Sequence, residues 1–218
     1  MMRGLMVKDY KLMMQKKKYF VIFAVMAVFL SFSMKGSFII SYLTMIGLIM
    51  AISTISSDEF DNGLPFLMTL PVSRKDYAVE KVLFSCLSIL AFWLVGGILQ
   101  VIVSAVMGNG LDFAALAAES IVFLMVFLFI LALMVPIELH FGMEKSRIAM
   151  VAIGGICFAI GVFGPKLMVR LGIDPRPLAA AIESIPPYVL MAGGIAVTIF
   201  ALFLSMVVTT RVMERKEF

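Results

Sequence analysis

Residues 82–107 read VLFSCLSILAFWLVGGILQVIVSAVM, twenty-six residues without a charged side chain. Wound as a helix rising about 1.5 Å per residue, such a run reaches about 39 Å, beyond the roughly 30 Å hydrocarbon core of a bilayer, so it crosses with some tilt. Gly108-Asn109-Gly110 then breaks it. This single stretch sets the solvent for the rest of the chain.

Working outward, comparable runs appear on both sides. Tyr19 to Ser57 contains only one charge, Lys35, and is long enough for two crossings joined by a tight turn at Lys35-Gly36. Toward the C-terminus, uncharged runs cover 120–137, 148–164 and 188–210. The sequence therefore predicts an all-α membrane protein of six transmembrane helices forming a single domain, with spans at 19–34, 37–56, 82–107, 120–137, 148–164 and 188–210. Composition agrees: 62% of the 218 residues are hydrophobic and 15% charged, far from the roughly 25% charged of a soluble domain.

The connections between runs carry the charge. Met1 to Lys18 holds six basic residues and places Met6, Val7, Tyr10, Met13 and Met14 on one helical side, with Lys8, Asp9, Lys11 and Gln15 elsewhere. An amphipathic helix lying in the membrane interface is expected over 1–18, although Leu5 and Leu12 interrupt the pattern. Counting Lys and Arg by side gives 14 with the termini and 4 opposite. The positive-inside rule then puts both termini in the cytoplasm. Three of the four minority charges fall in Pro165 to Pro187, a segment with a weakly apolar run at Leu178 to Ile182, whose composition leaves two placements open: a partial dip back into the membrane, or water. The first apolar run is not read as a cleaved leader, because another follows it almost at once.

Several chemistries are disfavoured by what the residues supply. A single histidine, His140, has no clustered Asp, Glu or Cys partners for a metal, and both cysteines, Cys86 and Cys157, sit in apolar runs. No phosphate-cradling G-x-x-x-x-G-K-[ST] occurs, so no cofactor is expected on this chain and any ATP or Mg belongs to another polypeptide. No basic stripe interleaved with exposed aromatics suggests nucleic acid. An intramembrane enzyme would need converging nucleophile, base or metal ligands, and none align. Within the spans Gln100 is the most polar side chain. Its ordinary use is a helix-to-helix hydrogen bond, and its alternative use is contact with cargo in a pathway. Small residues at Gly47-x-x-x-Ala51 and Gly155-x-x-x-Ala159 predict close helix packing, and Trp93, in mid-span, reads as packing too.

The most informative segment is the polar stretch 58–81. It joins acidic Asp58, Glu59 and Asp61 to an apolar patch of Leu64, Phe66, Leu67, Met68 and Leu70, then to the turn Pro71-Val72 and a helix start at Ser73. The Ser73 hydroxyl is placed to accept from the first free amide groups of that helix, with Asp76 at its positive end. So much apolar surface beside both charge signs suits a partner's groove or a lipid surface.

Three stretches resemble one family. They are Gly4-Leu5-Met6-Val7-Lys8-Asp9-Tyr10, similar to a G-L-x-x-K-D opening; Asp58-Glu59 followed by Leu64-Pro65-Phe66-Leu67-Met68-Thr69-Leu70-Pro71-Val72-Ser73-Arg74-Lys75-Asp76-Tyr77 and Glu80-Lys81, similar to an acidic pair with L-x-x-L-P-V-S-R-x-x-[YIV] and a following lysine; and Pro136-x-x-x-x-Phe141-Gly142-x-Glu144-Lys145-x-Arg147, similar to P-x-x-x-K-F-G-x-E-K-x-R. In the last, His140 replaces the usual lysine. The family is the ABC-2 type transporter permease subunit of Gram-positive bacterial form. The resemblance implies a type V exporter-like permease half that pairs with an identical or homologous second permease and with two ATP-binding subunits. It implies ATPase coupling through Asp58, Glu59, Leu64, Phe66, Leu67, Leu70, Pro71, Ser73 and Arg74. A secondary cytosolic contact would comprise Phe141, Gly142, Glu144, Lys145 and Arg147. With no row of ionisable groups inside the spans, the expected cargo is an amphipathic peptide or other hydrophobic compound. The competing reading is an accessory or immunity protein that sequesters a peptide without pumping it.

Overall fold

The computed structural model describes residues 2–32, 37–60, 63–108, 110, 112–170 and 185–216, with the side chains of the second half of the long helix after residue 142 described only in part. Among the described residues there are seven helices: α1 (Met2–Gln15), α2 (Lys17–Ser31), α3 (Phe38–Glu59), α4 (Gly63–Thr69), α5 (Arg74–Val106), α6 (Phe113–Arg170) and α7 (Pro187–Arg215). Four helical stretches are long and apolar enough to cross a membrane: α3, α5, Phe113–Gly142 of α6, and α7.

These helices run past the expected spans because their ends continue into polar turns. The helix expected at 82–107 starts at Arg74, where the Ser73 hydroxyl accepts from the Asp76 amide at 3.0 Å, and it closes at Met107 before Gly108, whose φ is 68°. At 33 residues α5 is about 50 Å long, so its first two turns, with Arg74, Lys75, Asp76, Glu80 and Lys81, project beyond the hydrocarbon. The first expected span fares differently. Helix α2 has 15 residues and reaches about 22 Å, short of a crossing. The turn expected at Lys35-Gly36 lies outside the described residues, as does most of Pro165 to Pro187.

Helix α6 holds two limbs joined at Gly142, whose φ of 75° and ψ of 174° are not helical. That backbone region is essentially confined to glycine. The spans expected at 120–137 and 148–164 lie one on each limb.

Helix α3 is the centre of the assembly: 67% of its apolar window is buried, against 11% for α7. Apolar side chains gain little by leaving lipid for one another, so close backbone approach matters more here than in a water-soluble core. The Gly47 and Ala51 pair supplies that approach. A methyl on Gly47 would sit 2.8 Å from Phe92 Cβ, and one on Gly96 would sit 3.1 Å from Ile40 Cα, so α3 and α5 touch at glycines. Gly155 differs, since a methyl there meets nothing within 4 Å. Trp93 donates its indole N–H to the Ser120 carbonyl at 2.9 Å, tying α5 to α6.

Two apolar clusters hold the helices. One joins Ala27, Ile39 and Leu43 near one end of the bundle. The larger joins Leu5 of α1, Ile55 of α3, Leu64 of α4, Tyr77 and Val82 of α5, Leu139 of α6 and Met213 of α7. Residues from near both termini therefore pack together at one end, around the 58–81 segment.

Helix α1 leaves the apolar side expected at the membrane interface open and turns another edge into the protein. Val7, Tyr10 and Met14 are exposed, whereas Leu5 and Asp9 are buried. Leu5, the residue that broke the amphipathic pattern, is the one that enters the core, and Asp9 follows it inward because lysines wait there.

Candidate functional site

Three helices each send a pair of residues four apart into one interior space: Leu5 and Asp9 from α1, Thr54 and Asp58 from α3, and Tyr77 and Lys81 from α5. Residues at i and i+4 share a helix face, so one turn of each helix suffices. Lys8 Nζ lies 2.6 Å from Asp58 and 3.1 Å from Asp9. Lys81 Nζ bonds Asp9, approaches Asp58 Oδ2 at 2.7 Å, and donates to Thr54 Oγ1 at 3.5 Å. The Tyr77 hydroxyl donates to Asp58 at 3.1 Å. Lys81, Asp9 and Tyr77 are fully buried. Two lysines and two aspartates cancel, which lets charged groups sit out of water without a net charge.

Each charge responds to the others. Burial works to raise the Asp58 carboxyl, but Lys81 and Lys8 outweigh it and hold the group below its ordinary range. Burial works to lower Lys8, and Asp9 and Asp58 overcome it, leaving the ammonium above its usual value. The Tyr77 phenol is pushed well up by burial and by the Asp58 carboxylate beside it.

Glu80 makes a fifth member with no counterion of its own. It is fully buried, and neither carboxylate oxygen has a hydrogen-bond partner among the described residues. Burial, then the Asp9 charge, push its pKa up from 4.5 to about 7, with Lys81 and Lys8 opposing and Asp58 adding to the rise. Between pH 4.5 and 7 the folded chain therefore holds a proton that the unfolded chain has released. Stability from this group is complete below pH 4.5 and falls as pH rises through about 7, by roughly 3 kcal/mol in total. The Asp58 contribution runs the other way but is lost only on acidification below the ordinary carboxylate range, so the two windows stay apart. Melting of the detergent-purified chain should drop from pH 5 to 8, and Glu80→Gln should flatten that drop. An unaltered slope in the variant would exclude Glu80 as its source.

The segment 63–73 is mounted on this cluster. Leu64 is 2% exposed, anchored in the core, and Leu67 is half-buried against it. Phe66 is 70% exposed and Leu70 46%, with Pro71 and Ser73 also at the surface. The residues expected to couple to a partner thus divide. Asp58 and Leu64 face inward and hold the segment, while Phe66, Leu70 and Pro71 form an apolar tip. Arg74 donates to the backbone carbonyls of Glu214 at 3.1 Å and Lys216 at 2.9 Å.

Glu59 and Gly142, from the first and second expected contacts, are neighbours. A methyl on Gly142 would lie 3.2 Å from Glu59 Oε2. Lys216 Nζ donates to Glu59 Oε1 and to the Leu139 carbonyl, both at 2.9 Å, pinning the foot of α7 between α3 and α6. Phe141 and Lys145 are exposed there. The side chains of Glu144 and Arg147 lie outside the described residues.

Gln100 is buried far from this assembly. Its Oε1 accepts from the Ile39 amide at 3.3 Å, one of the free N–H groups at the start of α3, and its Nε2 donates to Ser104 Oγ at 3.4 Å. That geometry is the helix-to-helix bond expected of it. Among the described residues no group of three or more His, Cys, Asp or Glu stands close enough to hold a metal ion.

A family model described as "ABC-2 family transporter protein" matches residues 4–214. No curated protein matches the chain, and no solved structure does.

Proposed function

The chain belongs to the ABC-2 transporter family, and from that membership we propose that it is the permease half of an ATP-driven exporter whose apolar tip, Phe66, Leu70 and Pro71, docks in a cleft of a separate ATP-binding subunit. The observation that carries this reading is the division within one short segment: Leu64 anchored inward and Phe66 bare to solvent. Apolar side chains held rigidly outward await a partner more readily than they serve solubility. Phe141 and Lys145, beside the Glu59 and Lys216 pair, would form the secondary contact.

Two ATP-binding subunits and a second permease, identical or homologous, complete the type V exporter-like assembly. Each permease would contribute six spans, with the second limb of α6 and the short α2, whose length would be met by local thinning of the bilayer, joining the four longer helices. Exposed Val21, Ile22, Val25 and Phe29 on α2 suit lipid contact. The excess of basic residues on the terminal side supports cytoplasmic termini in a bacterial cell membrane.

The mechanism is mechanical. ATP binding draws the two motor subunits together, the docked tips follow, and the ion cluster passes the displacement to α1, α3 and α5 as a unit. Tilting α3 against α5 opens the pathway outward. Cargo biases that equilibrium only by binding the two states unequally. An apolar hollow of about 460 Å³, lined by Ile40, Trp93, Leu94, Ile98 and Phe113 among others, supports an amphipathic or hydrophobic cargo.

Reconstitution with its ATP-binding partners in liposomes tests the reading. ATP-dependent movement of a fluorescent amphipathic peptide is the expected result. Peptide retention without any co-purifying ATPase would instead indicate a sequestering protein.

A further inference from the structure

The foot of α7 carries a feature that docking does not use. An open cleft of about 480 Å³ there is lined by His140, Val208, Arg211, Val212, Arg215 and Lys216. Lys216 is occupied by Glu59 and the Leu139 carbonyl. Arg211 and Arg215 are exposed, and neither makes an ion pair or side-chain hydrogen bond among the described residues. The cleft thus holds two guanidinium groups without anions, and guanidinium is the side chain best shaped to grip phosphate oxygens.

What lies above the cleft on the same helix decides the occupant. At about 100° per residue, Phe200, Leu204, Val208, Arg211 and Arg215 fall within one narrow arc of α7. The first three are exposed, at 66%, 50% and 37%. The opposite face buries Thr198, Ser205 and Thr209. A helix with its polar hydroxyls inward and its aromatic and aliphatic groups outward suits lipid along that stripe. The stripe runs without interruption into the two arginines, so apolar contact and phosphate recognition are in register over about 20 Å, the reach of an acyl chain and its headgroup.

We propose that the cleft formed by His140, Arg211 and Arg215 at the foot of α7 binds the phosphate headgroup of an anionic phospholipid, with an acyl chain along Val208, Leu204 and Phe200. The lipid belongs to the leaflet on the side of the chain termini. An acidic protein surface would satisfy the arginines but leave the stripe without a reason to align with them. A bound headgroup also braces α7 beside the Lys216 and Glu59 contact, so lipid composition would tune how firmly the terminal end is held.

The test uses the full chain in nanodiscs of phosphatidylglycerol and phosphatidylcholine, extracted gently and read by native mass spectrometry for retained lipid. Phosphatidylglycerol should be retained in preference to phosphatidylcholine. With a basic residue contributing roughly fivefold near an anionic surface, R211Q/R215Q should cut that preference by about 25-fold. R211K/R215K, which keeps the charge, should retain most of it. Both side chains are exposed, and an unshifted melting temperature confirms that the fold survives. Equal retention of the two lipids by the parent chain overturns the proposal, as does an undiminished preference in R211Q/R215Q. Displacement of the lipid by millimolar glycerol phosphate would show a free-anion site and overturn it too. Loss of ATPase co-purification in R211Q/R215Q with lipid preference intact would assign the arginines to a protein partner instead.

Discussion

Lys81→Met should lower stability by about 3–5 kcal/mol, the usual cost of removing one partner from a buried ion pair. The methionine has room, but Asp9 and Asp58 then share only Lys8, and Asp9 is fully buried. For a chain of this length the loss corresponds to a fall of roughly 10 °C in melting temperature. Restoring neutrality should recover much of it, so Asp9→Asn combined with Lys81→Met is expected to be more stable than Lys81→Met alone. This non-additivity identifies a coupled cluster, which simple loss of packing would not produce. Thermal unfolding of detergent-purified Lys81→Met, Asp9→Asn and the double variant beside the parent decides it. A Lys81→Met chain as stable as its parent would mean that α1, α3 and α5 are joined by apolar contact alone.

Phe66→Asp with Leu70→Asp should abolish retention of the ATP-binding subunits while leaving membrane insertion and melting unchanged. Both side chains point into solvent, so charge costs the isolated permease little. In a docking cleft each would bury an unpaired carboxylate. An anchoring aromatic or aliphatic residue at the centre of an interface contributes about 2 kcal/mol or more, so each change should weaken binding roughly 30-fold. Leu64→Asp makes the contrast, because Leu64 belongs to the core and its replacement should cost folding first. Equal co-purification of parent and Phe66→Asp, Leu70→Asp chains would move the contact elsewhere.

The long helices were legible because uncharged runs of twenty or more residues have few uses outside a membrane. Their ends were not, since Asp58 and Lys81 mark a polar loop by composition yet sit on the last turn of α3 and the second turn of α5. The Ser73 cap was readable from local chemistry alone. The ion cluster was hidden because its bonds cross 72 positions between Asp9 and Lys81 and 50 between Lys8 and Asp58. The i, i+4 pairs Leu5 and Asp9, Thr54 and Asp58, and Tyr77 and Lys81 were the available signal, but periodicity on one helix does not name the helix it faces. Lys216 stands among basic residues near the end of the sequence with nothing local to distinguish it, though it is the clasp between Glu59 and α6. In the segment 63–73, the apolar patch was visible in the sequence, and the structure sorted its members: Leu64 inward, Leu67 between, Phe66 and Leu70 outward.

The proposed mechanism requires that the apolar tip touch the motor. Replacing Phe66 with a photo-crosslinking amino acid in cells that make the full transporter tests it directly, with the same residue at the surface position of Val106 as a distant control. A covalent adduct with the ATP-binding subunit should form from position 66 and none from 106. An ATPase that co-purifies with the permease yet never crosslinks to position 66 would contradict it.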